Sequence, residues 1–329
     1  MNRNDPFEEL NVPEIVKNKL SLHYSSLATL SRATAQEVSE KVGISLKLAK
    51  SAILSSRKLL RQTPITAKDL LDEYRNKRKL TTGSQNLDEI LSGGISTGAI
   101  TEIIGEYAAG KSQIAFQLCI NAQLSFNHGG LEGGVYFVDT EGTFSAKRVF
   151  EIALAKKKVF SDILSPEDIL ENIHIGRAFN AEHQINLIQN ADKFIAENNI
   201  KLIIIDSIAA HFRAEYLGKE NLSSRAQALM NHAAILYRYA DSFDLAVVTT
   251  NQVLASMDKY LVGSQGTEPA LGLAWGHRPQ TRIFIRKQKN NARIARIIDS
   301  PELPEAEALF YITENGIEDG FTFEVESEN

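Results

Sequence analysis

The sequence has one cysteine, one tryptophan and only eight prolines among 329 residues. A single thiol excludes an internal disulfide framework and suits a reducing compartment. Cys119 lies inside the apolar run 114–120, which marks it as a buried structural thiol rather than a reactive one. With one Cys and seven scattered His, a Cys-rich zinc site is excluded as well. No apolar run approaches the roughly 20 residues that cross a bilayer, and the opening MNRNDPFEEL has no signal-like apolar block. The chain is therefore expected in the cytoplasm, without a membrane partner. Twenty glycines, 43% hydrophobic and 23% charged residues fit a folded protein, neither collagen-like nor disordered.

Positive charge also looks scarce, because the formal net charge is −5. Its distribution reverses that impression. From Asp299 onward there are ten acidic residues and no Lys or Arg, and setting them aside turns −5 into +5. Two stretches lack acids altogether. Residues 44–62 carry Lys47, Lys50, Arg57, Lys58 and Arg61, and residues 282–296 carry Arg282, Arg286, Lys287, Lys289, Arg293 and Arg296. Such stripes attract phosphates whatever the total, although each also reads as a solvated face.

The first 61 residues have the spacing of helices, with Leu10, Val12, Ile15, Val16 and Leu20 recurring on one face. Gly43 permits a tight turn, and Ser45 can cap the helix that follows. A helix, a glycine turn and a basic helix with Lys47 and Lys50 can aim N–H groups and ammonium groups at a phosphate backbone. Residues 62–80 read as a linker that begins near Pro64. From 81 to 329 short β-rich runs alternate with helical stretches. Apolar runs such as 202–205 and 245–248 lack alternation, as strands covered on both faces do. The expected architecture is a small all-α domain followed by an α/β domain with a largely parallel sheet.

The run Gly105-Glu106-Tyr107-Ala108-Ala109-Gly110-Lys111-Ser112 matches G-x-x-x-x-G-K-[ST] between a strand and a helix. Such a loop surrounds phosphates with amides, and the helix dipole adds to their attraction. Lys111 would reach the β- and γ-phosphates, and Ser112 would ligate Mg²⁺. The apolar strand ending at Asp206 has the form of a carboxylate that holds Mg²⁺ through water. Glu141 ends a third strand, where it either caps the strand or orients an attacking water. Gln252 ends a fourth, as a turn former or as a sensor of the γ-phosphate. The four strand ends together predict an ATPase core.

In family order, 81–84, 91–95, the phosphate loop with Gln113, 139–144, 177–180, 212–216, 250–253 and 299–307 resemble RecA-type recombinases of the archaeal and eukaryotic branch, the RadA type. The resemblance runs from about residue 7 to 320. It implies a RecA-like P-loop ATPase core with a small helix-hairpin-helix domain at residues 1–61, and ATP with Mg²⁺ as cofactors. It also implies DNA-dependent hydrolysis, strand exchange, and assembly on single- and double-stranded DNA as a filament or ring. By position it implies Glu141, Lys111 and Gln252 as catalytic, Gln113 as nucleotide-binding with the phosphate loop, and Arg148 near the adenine. The segment from Asp299 to Pro304 would form a cap over a neighbour's nucleotide, and His277 would respond to the γ-phosphate. Arg213, Tyr216, Lys219 and Arg225 fall in or beside a first DNA loop, Met257 falls in a second, and Gly43 with Lys47 and Lys50 falls in the helical domain. Other recombinase or mediator proteins are implied partners, on the nucleoid or, in a eukaryote, in the nucleus.

Three departures stand out. Family members join subunits through Phe-x-x-Ala, but Pro64 occupies the Phe position before Ala67. Ala108-Ala109 replaces a smaller or more polar pair. The Trp275-Gly276-His277 form resembles accessory paralogues, which bind ATP and DNA and assist another recombinase; that is the alternative function. A ring helicase or a circadian-type kinase fits the phosphate loop alone.

Overall fold

The computed structural model describes residues 5–61, 64–159, 164–255, 267–269 and 271–320. Its strands are β1 (Lys79–Leu80), β2 (Ile95–Ser96), β3 (Ala99–Gly105), β4 (Gly134–Asp139), β5 (Ile173–Arg177), β6 (Ile200–Asp206), β7 (Ala246–Ala255), β8 (Thr267–Pro269), β9 (Thr281–Lys287), β10 (Ala292–Asp299), β11 (Glu307–Thr313) and β12 (Gly316–Glu318). The first two form a small antiparallel pair. The large sheet runs β12-β11-β10-β9-β3-β7-β6-β4-β5, with β8 paired to β7 alone. From β9 to β5 all neighbours are parallel, and beyond β9 they turn antiparallel. The α/β expectation for the core is met; β11 and β12 extend the sheet past the strands anticipated from the sequence.

Every residue of β3 and β4 is buried, as expected for strands covered by helices on both faces. Alternate side chains divide between two cores. Ile103, Phe137, Ile204 and Val248 face one side; Ile100, Val138, Ile203, Ile205 and Val247 face the other. Register then positions the site. Gly105 pairs with Gln252, and Asp139 pairs with Asp206. The C-terminal ends of β3, β7, β6 and β4 therefore line up along one edge of the sheet, where parallel α/β sheets bind ligands.

The N-terminal helices Glu14–His23, Leu27–Arg32, Ala35–Val42 and Leu46–Leu59 share an apolar cluster built from Phe7, Leu20, Leu30, Val38, Ala52 and Ile53 among others. Ser26, Thr34 and Ser45 cap three of them by accepting N–H bonds. Gly43 ends the third at φ 66°, a left-handed turn that glycine adopts without penalty. The group docks on the core through charge. Arg238 donates twice to Glu37, both at 2.6 Å, and the two side chains are only 5% and 11% exposed. Ser25 N donates to Asp192, and Lys41 donates to the Gln189 carbonyl. Between helical group and core, Ala67–Arg75 folds as a helix with a Thr66/Asp69 capping box and no buried residue. The segment read as a linker is thus partly helical.

Candidate nucleotide and DNA site

β3 delivers the chain to a loop closed by Gly110 at φ 109°, and the helix Lys111–Asn121 starts immediately after it. A Cβ on Gly110 would lie 2.3 Å from Ile312, and one on Gly105 would lie 2.6 Å from the Ile285 carbonyl. Both positions therefore require glycine for the loop to lie where it does. Ala108 sits at φ 55°, a region that costs a side chain about 1 kcal/mol relative to glycine. Ala109 is buried, while Glu106 and Tyr107 project outward. The Ala108-Ala109 pair is accommodated without breaking the loop.

Lys111 is 9% exposed and donates to the carbonyls of Gly105 and Glu106 at 2.9 Å each. Burial lowers its ammonium pKa, and the negative charges of Asp206 and Glu141 pull it back up. Asp206, 6% exposed, has the opposite problem. Burial pushes its carboxyl upward, while hydrogen bonds from Ser112 and Thr250 and the Lys111 charge oppose the rise. A polyphosphate would relieve the buried cation, and a divalent cation would relieve the buried carboxylate. The donor set thus fits a nucleotide with Mg²⁺.

Glu141 stands exposed beside these two groups on a loop that Asp139 shapes. One Asp139 oxygen accepts the backbone N–H groups of Glu141, Gly142 and Thr143, and the other accepts that of Phe144. Phe144 packs edge-on against Phe116 and Phe137, with ring centroids 5.4 and 4.9 Å apart. The Glu141 carboxylate accepts from Ser207 Oγ at 2.8 Å and from Gln252 Nε2 at 3.2 Å. Gln252 Oε1 in turn accepts from Arg213 Nη1 at 3.4 Å. Catalytic, sensor and DNA-loop candidates, scattered over 112 positions of sequence, form one hydrogen-bonded chain.

Other sequence candidates are placed as follows. Arg148 donates to Gln113 Oε1 at 2.9 Å and to the carbonyls of Thr313 and Glu314. Tyr216 ends the helix Ala210–Glu215 and stacks on Phe212, with ring centroids 6.0 Å apart. Lys219 opens a short 3₁₀ turn, and Arg225 is half-buried in the first turn of the helix Leu222–Phe243. Gly43, Lys47 and Lys50 are exposed on the helical group. His277 is exposed just past the helix Gly272–Gly276. Pro304 lines a separate cavity of roughly 560 Å³ with Asn86, Glu89 and Ile90, so the segment that begins at Asp299 builds its own surface. Met257 lies outside the described residues.

The basic stripe 282–296 is largely consumed by partners: Arg282 by Glu102, Arg286 by Glu307 and Arg296 by Glu305. Lys287 and Lys289 stay exposed. Arg293 was legible only as part of that stripe, yet its Nε donates to the Ala109 carbonyl at 2.8 Å and braces the phosphate loop. Asp139, Ser207 and Thr250 were also missed as site residues. Asp139 and Thr250 had a signal, since they open the strand-end motifs 139–144 and 250–253.

A family model described as Rad51 matches residues 75–320. The chain is 42% identical over 307 residues to the DNA repair and recombination protein RadA of Aeropyrum pernix, covering 93% of this chain and 94% of the relative. RadA of Metallosphaera sedula is 42% identical over 310 residues, covering 94% and 93%. RadA of Ignicoccus hospitalis is 39% identical over 312 residues, covering 93% of each chain. These relatives weigh against the accessory reading suggested by Pro64 and Trp275. The chain belongs to the Rad51 family, as a RadA-type recombinase of recombinational DNA repair.

Proposed function

We propose that the chain polymerises on single-stranded DNA and uses ATP to pair it with homologous duplex and exchange strands. The hydrogen-bonded chain from Arg213 through Gln252 to Glu141 carries this reading, because it joins a DNA-facing loop to the carboxylate beside the phosphate loop. Lys111 and the loop amides from Gly105 to Ser112 would hold the phosphates, with Gln113 and Arg148 on the adenine side. Ser112 and Asp206 would hold Mg²⁺, which supplies charge neutralisation at the phosphoryl oxygens. Glu141 would orient a water and accept its proton. Gln252 would lose its bond to Glu141 when it turns toward the γ-phosphate, and Arg213 would move with it. Asp299 to Pro304 and His277 would complete the site across a subunit boundary.

Sequence specificity in this scheme belongs to base pairing, so the protein needs backbone contacts and stacking rather than base readout. Residues 1–61 would form a helix-hairpin-helix DNA-binding domain that presents Gly43, Lys47 and Lys50. Residues 62–80 would form the linker through which subunits join, and 81–329 the ATPase core. Arg213, Tyr216, Lys219, Arg225 and Met257 would line the strand. The setting would be the cytoplasm, on the nucleoid, with mediator proteins as further partners, or the nucleus in a eukaryote. No helix among the described residues is long and apolar enough to cross a membrane.

The test is exchange between a labelled single strand and its homologous duplex with ATP and Mg²⁺. Product that requires both ATP and homology is expected. Tight ATP-dependent DNA binding without product, where a known recombinase forms it, overturns the exchange function and favours an accessory role.

A further inference from the structure

Glu102 sits in the middle of the central strand β3 and is fully buried. A carboxylate in such a position costs several kcal/mol unless it is paired and hydrogen-bonded. Here three donors converge on it. Oε1 accepts from Asn251 Nδ2 and from the indole Nε1 of Trp275, both at 2.7 Å. Oε2 accepts from Arg282 Nε at 2.8 Å. The donors come from β7, from the short helix Gly272–Gly276 and from β9. Trp275 is itself fully buried and belongs to the apolar cluster beneath the helix Leu222–Phe243.

The sequence neighbours of these donors give the node its interest. Asn251 immediately precedes Gln252, and Trp275 lies two residues before His277. Asn251, just before the second DNA loop that the resemblance implies at 253–276, and Trp275, near its end, therefore share one carboxylate oxygen. A shift of Gln252 pulls on Asn251. Because Asn251 and Trp275 share Oε1, a change in one bond alters the geometry and strength of the other. Alongside the β7–β8 ladder, which pairs Val253 with Pro269, Glu102 holds Asn251 and Trp275 through one oxygen, with Arg282 holding the other.

We infer that Glu102 is a positioning residue that sets Gln252 and His277 together, so that these two residues respond to nucleotide as a unit, with Asn251 and Trp275 as its partners. The inference rests on the recombinase reading above. It gives Trp275 a task inside the RadA-type mechanism instead of marking a departure from it.

Trp275 is the only tryptophan in the chain, so its emission reads the node directly in the full-length protein. Emission is expected to change when ATP, Mg²⁺ and a single-stranded oligonucleotide are added together. Asn251→Ala keeps Trp275 but is expected to lose that change. In both Asn251→Ala and Trp275→Phe, the ratio of DNA-stimulated to DNA-free turnover should fall about threefold to tenfold. The KM for ATP should move less than kcat, and the double variant should be no worse than the poorer single one. Additive losses that track an equal drop in unfolding midpoint, or emission indifferent to nucleotide and DNA in a wild type with normal DNA-stimulated turnover, overturn the inference and leave the recombinase reading intact. A wild type that neither binds single strands nor gains turnover from them overturns both. Should Trp275→Phe fail to fold, the emission of the wild type and of Asn251→Ala still decides.

Discussion

Two polar regions of this protein use the same side-chain chemistry to opposite ends. At the edge of the sheet, Lys111, Asp206 and Glu141 are drawn close without pairing off, and burial moves both Lys111 and Asp206 toward their neutral forms. On the opposite business of holding the helical group to the core, Arg238 and Glu37 satisfy one another with two parallel bonds. The first arrangement stores unmet electrostatic demand for a ligand to satisfy. The second pairs cation with anion directly and leaves only Arg238 Nε without a hydrogen-bond partner. A buried charge whose partner is missing from the fold thus points to a ligand.

That contrast can be tested from its strongest consequence downward. Lys111→Ala removes the buried cation proposed to bind phosphate, and ATP-dependent turnover should fall at least about 10³-fold in a steady-state hydrolysis assay. Glu141→Gln keeps the shape and the Ser207 contact but removes the proposed base. Hydrolysis should drop about 10²- to 10⁴-fold while ATP still binds, as read by a fluorescent nucleotide. Normal ATPase activity in that variant would end the catalytic assignment.

The docking ion pair should behave differently. Glu37→Ala strands the Arg238 guanidinium in the interface and should cost about 3 kcal/mol of stability, measured by denaturant unfolding. ATP affinity should hardly move, since the pair lies away from the phosphate loop. A large loss of nucleotide binding would mean that the two regions are coupled after all. The smallest effect is expected from Arg213→Ala, which removes one half-buried cation of the helix Ala210–Glu215. Single-strand affinity at matched salt should weaken by about 1 kcal/mol and the salt slope should flatten. Unchanged affinity removes that helix from the contact surface.

Some of this was legible because the chemistry is local. The loop from Gly105 to Ser112 needs its glycines and lysine in sequence order, and the apolar strands before Asp206 and Gln252 announce burial on both faces. Gly43 and Ser45 are equally local, since a left-handed turn and an N-cap depend on neighbours within three residues. Parallel pairing then follows from the alternation of strand and helix. The stripe 282–296 misled for the opposite reason. Its charges look free along the chain, but the sheet brings Glu102, Glu305 and Glu307 alongside three of them.

The sequence by itself thus determined the family, the phosphate loop and the order of the strand ends, all of which are written in short contiguous runs. Tertiary structure alone decided the rest. Register placed Gly105 beside Gln252 and Asp139 beside Asp206. Folding joined Glu141 to Arg213 through Gln252, set Arg293 against the Ala109 carbonyl, and gathered Asn251, Trp275 and Arg282 on Glu102. The physical reason is range: a cap or a glycine turn is satisfied within a few residues, whereas a buried carboxylate takes its donors from whichever strands the sheet order brings alongside.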